Sequence, residues 1–132
     1  MAIQVGMKHE AAEAVTKEKT AQVMGSGSLP VYATPAMCCL MEKAAAELLE
    51  EQAEPGWTSV GGAMAIRHEA PTPVGVPVRA EAEVTAVEGR RVEFKVAAFD
   101  EAGQIGHGTH TRFLVQGDRF LAKAGERQDA GA

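Results

Sequence analysis

Residues 34 to 52 constrain the fold most. Thr34-Pro35 reads as a helix start: threonine is a good N-cap, and proline at the first helical position has its φ already set. Leu40, Met41, Glu42, Lys43, Ala44 to Ala46, Glu47, Leu48 and Leu49 favour helix, and Pro55-Gly56 closes it. Lys43, Glu47, Glu50 and Glu51 form the wet face. Nearly everything else is apolar, so other structure has to wrap this helix on most sides.

The wrapping material follows in sequence. From Val60 the hydrophobic period changes to two. Val60 to His68 reads as a strand with Met64, Ile66 and His68 on one face. Pro71-Thr72-Pro73-Val74-Gly75 is a turn. Val78, Ala80, Ala82, Val84 and Ala86 alternate with polar residues, and so do Val92, Phe94, Val96 and Ala98 after a Glu88-Gly89 turn. Asp100 to Gly103 turns again, into a last strand from Ile105 to Val115. Short turns make the last three strands antiparallel neighbours. Ala11 to Thr16 is a weak first strand. The order β-α-β-β-β-β predicts an α+β domain: one long helix wrapped by one curved antiparallel sheet.

A chain of 132 residues is one domain's worth, read as residues 1–121 with a flexible tail over 122–132. Hydrophobic residues at 45% and charged residues at 23% are ordinary for a folded globule. The formal net charge of −5 argues against nucleic acid as the main partner, since phosphate backbones need a basic surface. No charged-then-apolar leader and no apolar run near 18 residues is visible, so a cytoplasmic location with no membrane contact is expected. Cys38 and Cys39 are neighbours, and neighbouring helical residues bridge only with strain; neither has metal-ligand spacing.

Three polar residues stand out. Glu42 has Cys38, Ala45, Ala46 and Leu49 as its helical neighbours. A carboxylate on such a stripe is costly to desolvate unless paired or protonated, which suits a general base or nucleophile, or else an edge residue paired with an arginine. His68 ends a strand on the face of Met64 and Ile66, where it can shuttle protons or donate a structural hydrogen bond. His9, His107 and His110 compete with it, and the last two lie on opposite faces of one strand. Thr34 is explained by capping alone, or by a hydroxyl facing a ligand at the positive end of the helix dipole. Gly61-Gly62, inside a strand, adds a place where a ligand could approach the backbone and free N–H groups could hold an oxyanion.

The segments Tyr32-Ala33-Thr34-Pro35 and Leu40-Met41-Glu42 resemble the helix start of the fluoroacetyl-CoA thioesterase family of hotdog proteins. So do Gly61 to Gly75, the hairpin Val87-Glu88-Gly89-Arg90-Arg91, and Ile105 to Arg112. The matches run in order from about Val31 to Val115. The resemblance implies a hotdog fold and hydrolysis of an acyl-CoA thioester, with CoA as part of the substrate and no separate cofactor or metal. It implies a catalytic trio on Thr34, Glu42 and His68 and a backbone donor at Gly61. It also implies a homodimer, possibly paired into a tetramer, whose site lies between subunits with the Thr and Glu on one chain and the His on the other. Where the fluoroacetyl enzyme has an aromatic-rich lid, this chain reads Gly25 to Tyr32 without a phenylalanine, so a more general acyl-CoA hydrolase is expected. CoA phosphates would fall to Arg67, Arg90, Arg91 or Arg112. A hotdog hydratase or dehydratase and a non-catalytic acyl-CoA-binding module stand as alternatives.

Overall fold

A computed structural model describes residues 2–131. The chain forms strand β1 (Lys8–Ala14), a 3₁₀ turn (Lys17–Lys19), the short helix α1 (Ala21–Met24), the long helix α2 (Thr34–Gln52), strands β2 (Trp57–His68), β3 (Pro77–Glu88), β4 (Arg91–Asp100) and β5 (Gly103–Gln116), and helix α3 (Gly117–Gly131). All five strands join one antiparallel sheet in the order β1-β3-β4-β5-β2. The hairpins β3-β4 and β4-β5 are the ones the turn residues foretell. β2 closes the far side by pairing with β5, which leaves it an edge strand.

The core lies between the sheet's concave face and α2. Met37, Leu40, Met41, Leu48 and Leu49 from the helix meet Val78, Val84, Val92, Phe94, Val96 and Ile105 from the strands, all buried. Alternation decides which side chains participate: in β3, Val78, Ala80, Ala82 and Val84 are buried while Arg79 faces water. Where β5 passes under the helix it carries Gly106 and Gly108. A Cβ on Gly106 would stand 2.6 Å from the Met37 sulphur, so the helix sits on bare backbone there.

Three details depart from the sequence reading. The first strand spans Lys8–Ala14 rather than starting at Ala11. The segment between it and α2 is folded: Thr20 caps α1 by accepting from the Val23 N–H, and backbone bonds from Ala21 to Val31 and from Ala33 to Lys19 close the loop on itself. The tail expected to be flexible from Ala122 belongs to α3 in the described residues. Leu121, Ala122, Lys123, Ala124, Glu126 and Arg127 are strong helix formers, and Asp118 sits in the first turn where the dipole favours it. None of α3 is buried, so propensity and its anchor (Gly117 N–H to the Gly56 carbonyl, 3.0 Å) hold it in place.

Candidate active site

Thr34, Cys38 and Glu42 recur every four residues and so share one face of α2. Facing them across an open groove of about 600 Å³ are Gly61 to Ile66 of β2 and His110 of β5. A strand edge on one side and a helix face on the other explain why this groove stays unfilled: the strand supplies glycine and alanine where larger residues would close it.

Glu42 does not stand alone on its apolar stripe. Arg112, inward-facing on β5 and 7% exposed, brings Nη1 to 3.5 Å from Glu42 Oε2. The same guanidinium donates from Nε to Ser59 Oγ (2.9 Å) and from Nη2 to the Ser59 carbonyl (3.1 Å). Nη1 also lies 3.2 Å from His110 Nε2. Arginine only donates, so His110 Nε2 is the acceptor and its proton is on Nδ1, which donates to the Ala63 carbonyl at 2.7 Å. The 4.0 Å approach of His110 Nε2 to Glu42 is therefore no ion pair. His110 is neutral, and burial pushes its pKa below the usual histidine value, with the Arg112 charge adding to that and the Ala63 carbonyl and Glu42 opposing it.

The clamp holds an irregularity. β2 and β5 stay in register up to Gly61 opposite Arg112, then resume at Ala63 opposite Thr111, so Gly62 is the extra residue of a β-bulge. Ser59 on one side of the bulge and Ala63 on the other are bonded to Arg112 and His110. Gly61 faces the helix: a Cβ there would lie 2.5 Å from Glu42 Oε2. Gly62 faces the opposite way, where the Phe113 ring would meet its Cβ at 2.4 Å. Of the two glycines, Gly61 alone borders the carboxylate.

Thr34 and His68 meet at the other end of the groove. The Thr34 side chain makes no cap bond. Ala33 is the N-cap, and Thr34 Oγ1 instead lies 2.8 Å from His68 Nδ1. Capping is thus not what places a threonine here. The contact forms because the Val31↔Pro73 bridge and the bond from the Tyr32 N–H to the Thr72 carbonyl lay the start of α2 against the loop that follows β2. Tyr32, buried and bonded to Glu13, pins the segment from behind. Within one chain, therefore, His68 lies beside Thr34, and among the described residues no hydrogen bond or ion pair joins it to Glu42. Burial holds the His68 imidazole below its usual pKa, against a smaller upward effect of the Ala70 backbone.

Both lowered histidines give one expected pH response. The unfolded chain takes protons near the ordinary value of 6.5, whereas folded His68 and His110 resist them. Protons therefore favour the unfolded state, and stability drops as pH falls through and below that value. Thermal melting followed from about pH 7 to 5 should show a falling midpoint, and a flatter dependence in His110→Gln.

The arginines separate clearly. Arg112 is buried in the clamp and is not available to a phosphate, a correction to its candidacy for CoA binding. Arg91 is taken by Glu88 (2.7 Å) and Glu93 (3.6 Å). Arg67 stands opposite His107 on the outer sheet face, away from the groove. Arg90 lies over the Trp57 ring, 4.8 Å from its centroid. Sequence reasoning missed the Arg112-His110 pair as partners of Glu42. The available signal was their two-residue spacing, which puts both on the inward face of β5.

The family model for the fluoroacetyl-CoA-specific thioesterase matches residues 15–118. A fluoroacetyl-CoA thioesterase of Streptantibioticus cattleyicolor is 41% identical over 101 residues, which cover 76% of this chain and 73% of that protein. A solved structure of a fluoroacetyl-CoA thioesterase variant in complex with acetyl-CoA superposes with a TM-score of 0.89 at 34% identity, covering 95% of this chain and 98% of that one. A hot-dog-like protein from Thermanaerovibrio acidaminovorans superposes with a TM-score of 0.86 at 26% identity, covering 95% and 93%. The helix-wrapped sheet is the hotdog fold. Among the described residues no helix is long and apolar enough to cross a membrane.

Proposed function

Because the chain belongs to the fluoroacetyl-CoA-specific thioesterase family, we propose that it hydrolyses a small acyl-CoA to the free acid and CoA in the groove between α2 and β2. One observation carries this reading: a half-exposed carboxylate, Glu42, pressed against bare backbone at Gly61 and held by Arg112. The groove beside Glu42 is wide enough to hold a water molecule next to a thioester, so Glu42 acts by activating that water. The water oxygen adds to the thioester carbonyl carbon while Glu42 takes its proton. The Gly61 N–H, beside Glu42, meets the developing oxyanion, while Thr34, kept in place by His68, lines the other end of the groove. Thr34 and Glu42 lie two turns apart on one face of α2, about 12 Å of helix rise, so an acyl group can run along the groove from Glu42 toward Thr34. As the C–S bond breaks, the proton on Glu42 passes to the thiolate sulphur.

The groove is open on the side of β2, and β2 is an unpaired edge. A second copy adding its own β2 there would satisfy the edge and roof the groove, so the working unit is a homodimer with a site at each end of the seam. Gly25 to Pro30 brings no aromatic ring to the hollow lined by Tyr32, Thr34 and His68, which leaves it open to acyl groups larger than fluoroacetyl. The test is free-thiol release from a panel of short, branched and aromatic acyl-CoAs by protein whose mass in solution is measured alongside. Release by a dimer is expected. No release from any of them would refute hydrolysis, and an active monomer would refute the shared site.

A further inference from the structure

Three cations converge beside the start of β2. A pocket of about 230 Å³ is lined by Trp57, Arg90, Arg119, Phe120 and Lys123, with Val115 and Gln116 beneath, and no acidic side chain borders it. In a chain with net charge −5 that is an unusual local balance. None of the three cations forms an ion pair among the described residues, whereas Arg79, Arg91 and Lys95 each do. Arg119 and Lys123 are one helical turn apart and project on the same side of α3. Arg90 reaches them from the β3-β4 turn, its guanidinium carbon 4.8 Å from the Trp57 ring centroid. Phe120, 42% exposed, lines the pocket with its ring available to a ligand. The Gly117 anchor to Gly56 fixes α3 beside the start of β2, so the grouping is built into the fold.

We infer that this pocket binds the phosphorylated adenosine end of the CoA thioester. The inference rests on the hydrolase reading above. Forked guanidinium donors and an ammonium match phosphate oxygens, and an exposed aromatic face stacks a base. The reach is right as well. Trp57 and Gly61 are four residues apart on one strand, about 13 Å, and a pantetheine arm about a dozen bonds long covers a comparable distance. The thioester would then lie at Glu42 while the nucleotide rests on α3. Of the arginines first considered for CoA, this keeps Arg90 and adds two cations from a helix not foreseen.

The test compares acyl-CoA with the matching acyl-N-acetylcysteamine thioester, which has no nucleotide, in wild type and in Arg119→Gln/Lys123→Gln. Both substituted residues are exposed, so the variant should fold. The expected result is a KM for acyl-CoA raised about tenfold with kcat unchanged, and no change toward the short thioester. The wild-type KM for acyl-CoA should also climb with salt more steeply than the variant's. An unchanged KM for acyl-CoA, or an equal rise for both substrates, would overturn the inference while leaving the hydrolase intact. If wild type cleaves neither thioester, the hydrolase reading has failed instead. Calorimetry with 3′-phospho-ADP then decides the pocket: binding lost in the variant upholds it, and no binding to wild type refutes it.

Discussion

Glu42→Gln is expected to lower kcat for acyl-CoA hydrolysis about 10³-fold while the protein stays folded. Glutamine keeps the size and one oxygen of the side chain but cannot take a proton from water. The substitution also removes the counter-charge from Arg112, which is 7% exposed. That loss is partly offset, because Arg112 keeps Ser59 and His110 as acceptors, so a stability cost of about 1–3 kcal/mol is expected rather than unfolding. Glu42→Ala should lose as much rate. Activity and melting temperature measured on the same preparation separate the two effects. Turnover within tenfold of wild type in a folded variant would remove Glu42 from the centre of the reaction.

The elements that were legible in the sequence are those whose signal is local. Pro35 and Pro55-Gly56 bracket α2, and the alternation of Val78 to Val84 and Val92 to Ala98 marks which side of each strand is buried. The glycine pair reads as a place for a ligand to approach the backbone, and in the fold the group that approaches Gly61 is the Glu42 side chain. What escaped depends on strand register and chain return. Arg112 looked like a surface cation because nothing in its neighbours says that β5 turns it under α2; only the pairing of Gly61 with Arg112 brings it to Glu42. The same blindness credited Thr34 with a cap, since the bridge from Val31 to Pro73 that delivers His68 joins residues 42 positions apart. The helix after β5 was lost for another reason. It buries no side chain, and small polar composition reads as a tail when no apolar stripe betrays a partner surface.

Two alanine substitutions on the paired strands β2 and β5 should fail in opposite ways. At Gly108 a Cβ would stand 2.0 Å from the Ala65 carbonyl oxygen and 2.7 Å from the Ile66 Cα. Both are backbone atoms of the strand paired with it, so relief requires β5 to move away from β2 and give up ladder bonds. Gly108→Ala should therefore lower the melting midpoint by about 10 °C or more, a cost of about 3 kcal/mol. At Gly61 the nearest atom is the end of a side chain, Glu42 Oε2 at 2.5 Å, with His110 and Arg112 no closer than 3.4 Å. A carboxylate can swing aside, so the fold should keep its midpoint within a few degrees. It cannot swing aside and still meet Arg112 and the attacking water. A displacement of about 1 Å costs roughly 10² in rate, so Gly61→Ala should be folded and nearly inactive. A Gly61→Ala protein with full activity would show that the carboxylate need not touch the bulge. A Gly61→Ala protein that melts as early as Gly108→Ala would mean that the glycine serves the β2-β5 pairing and not the chemistry.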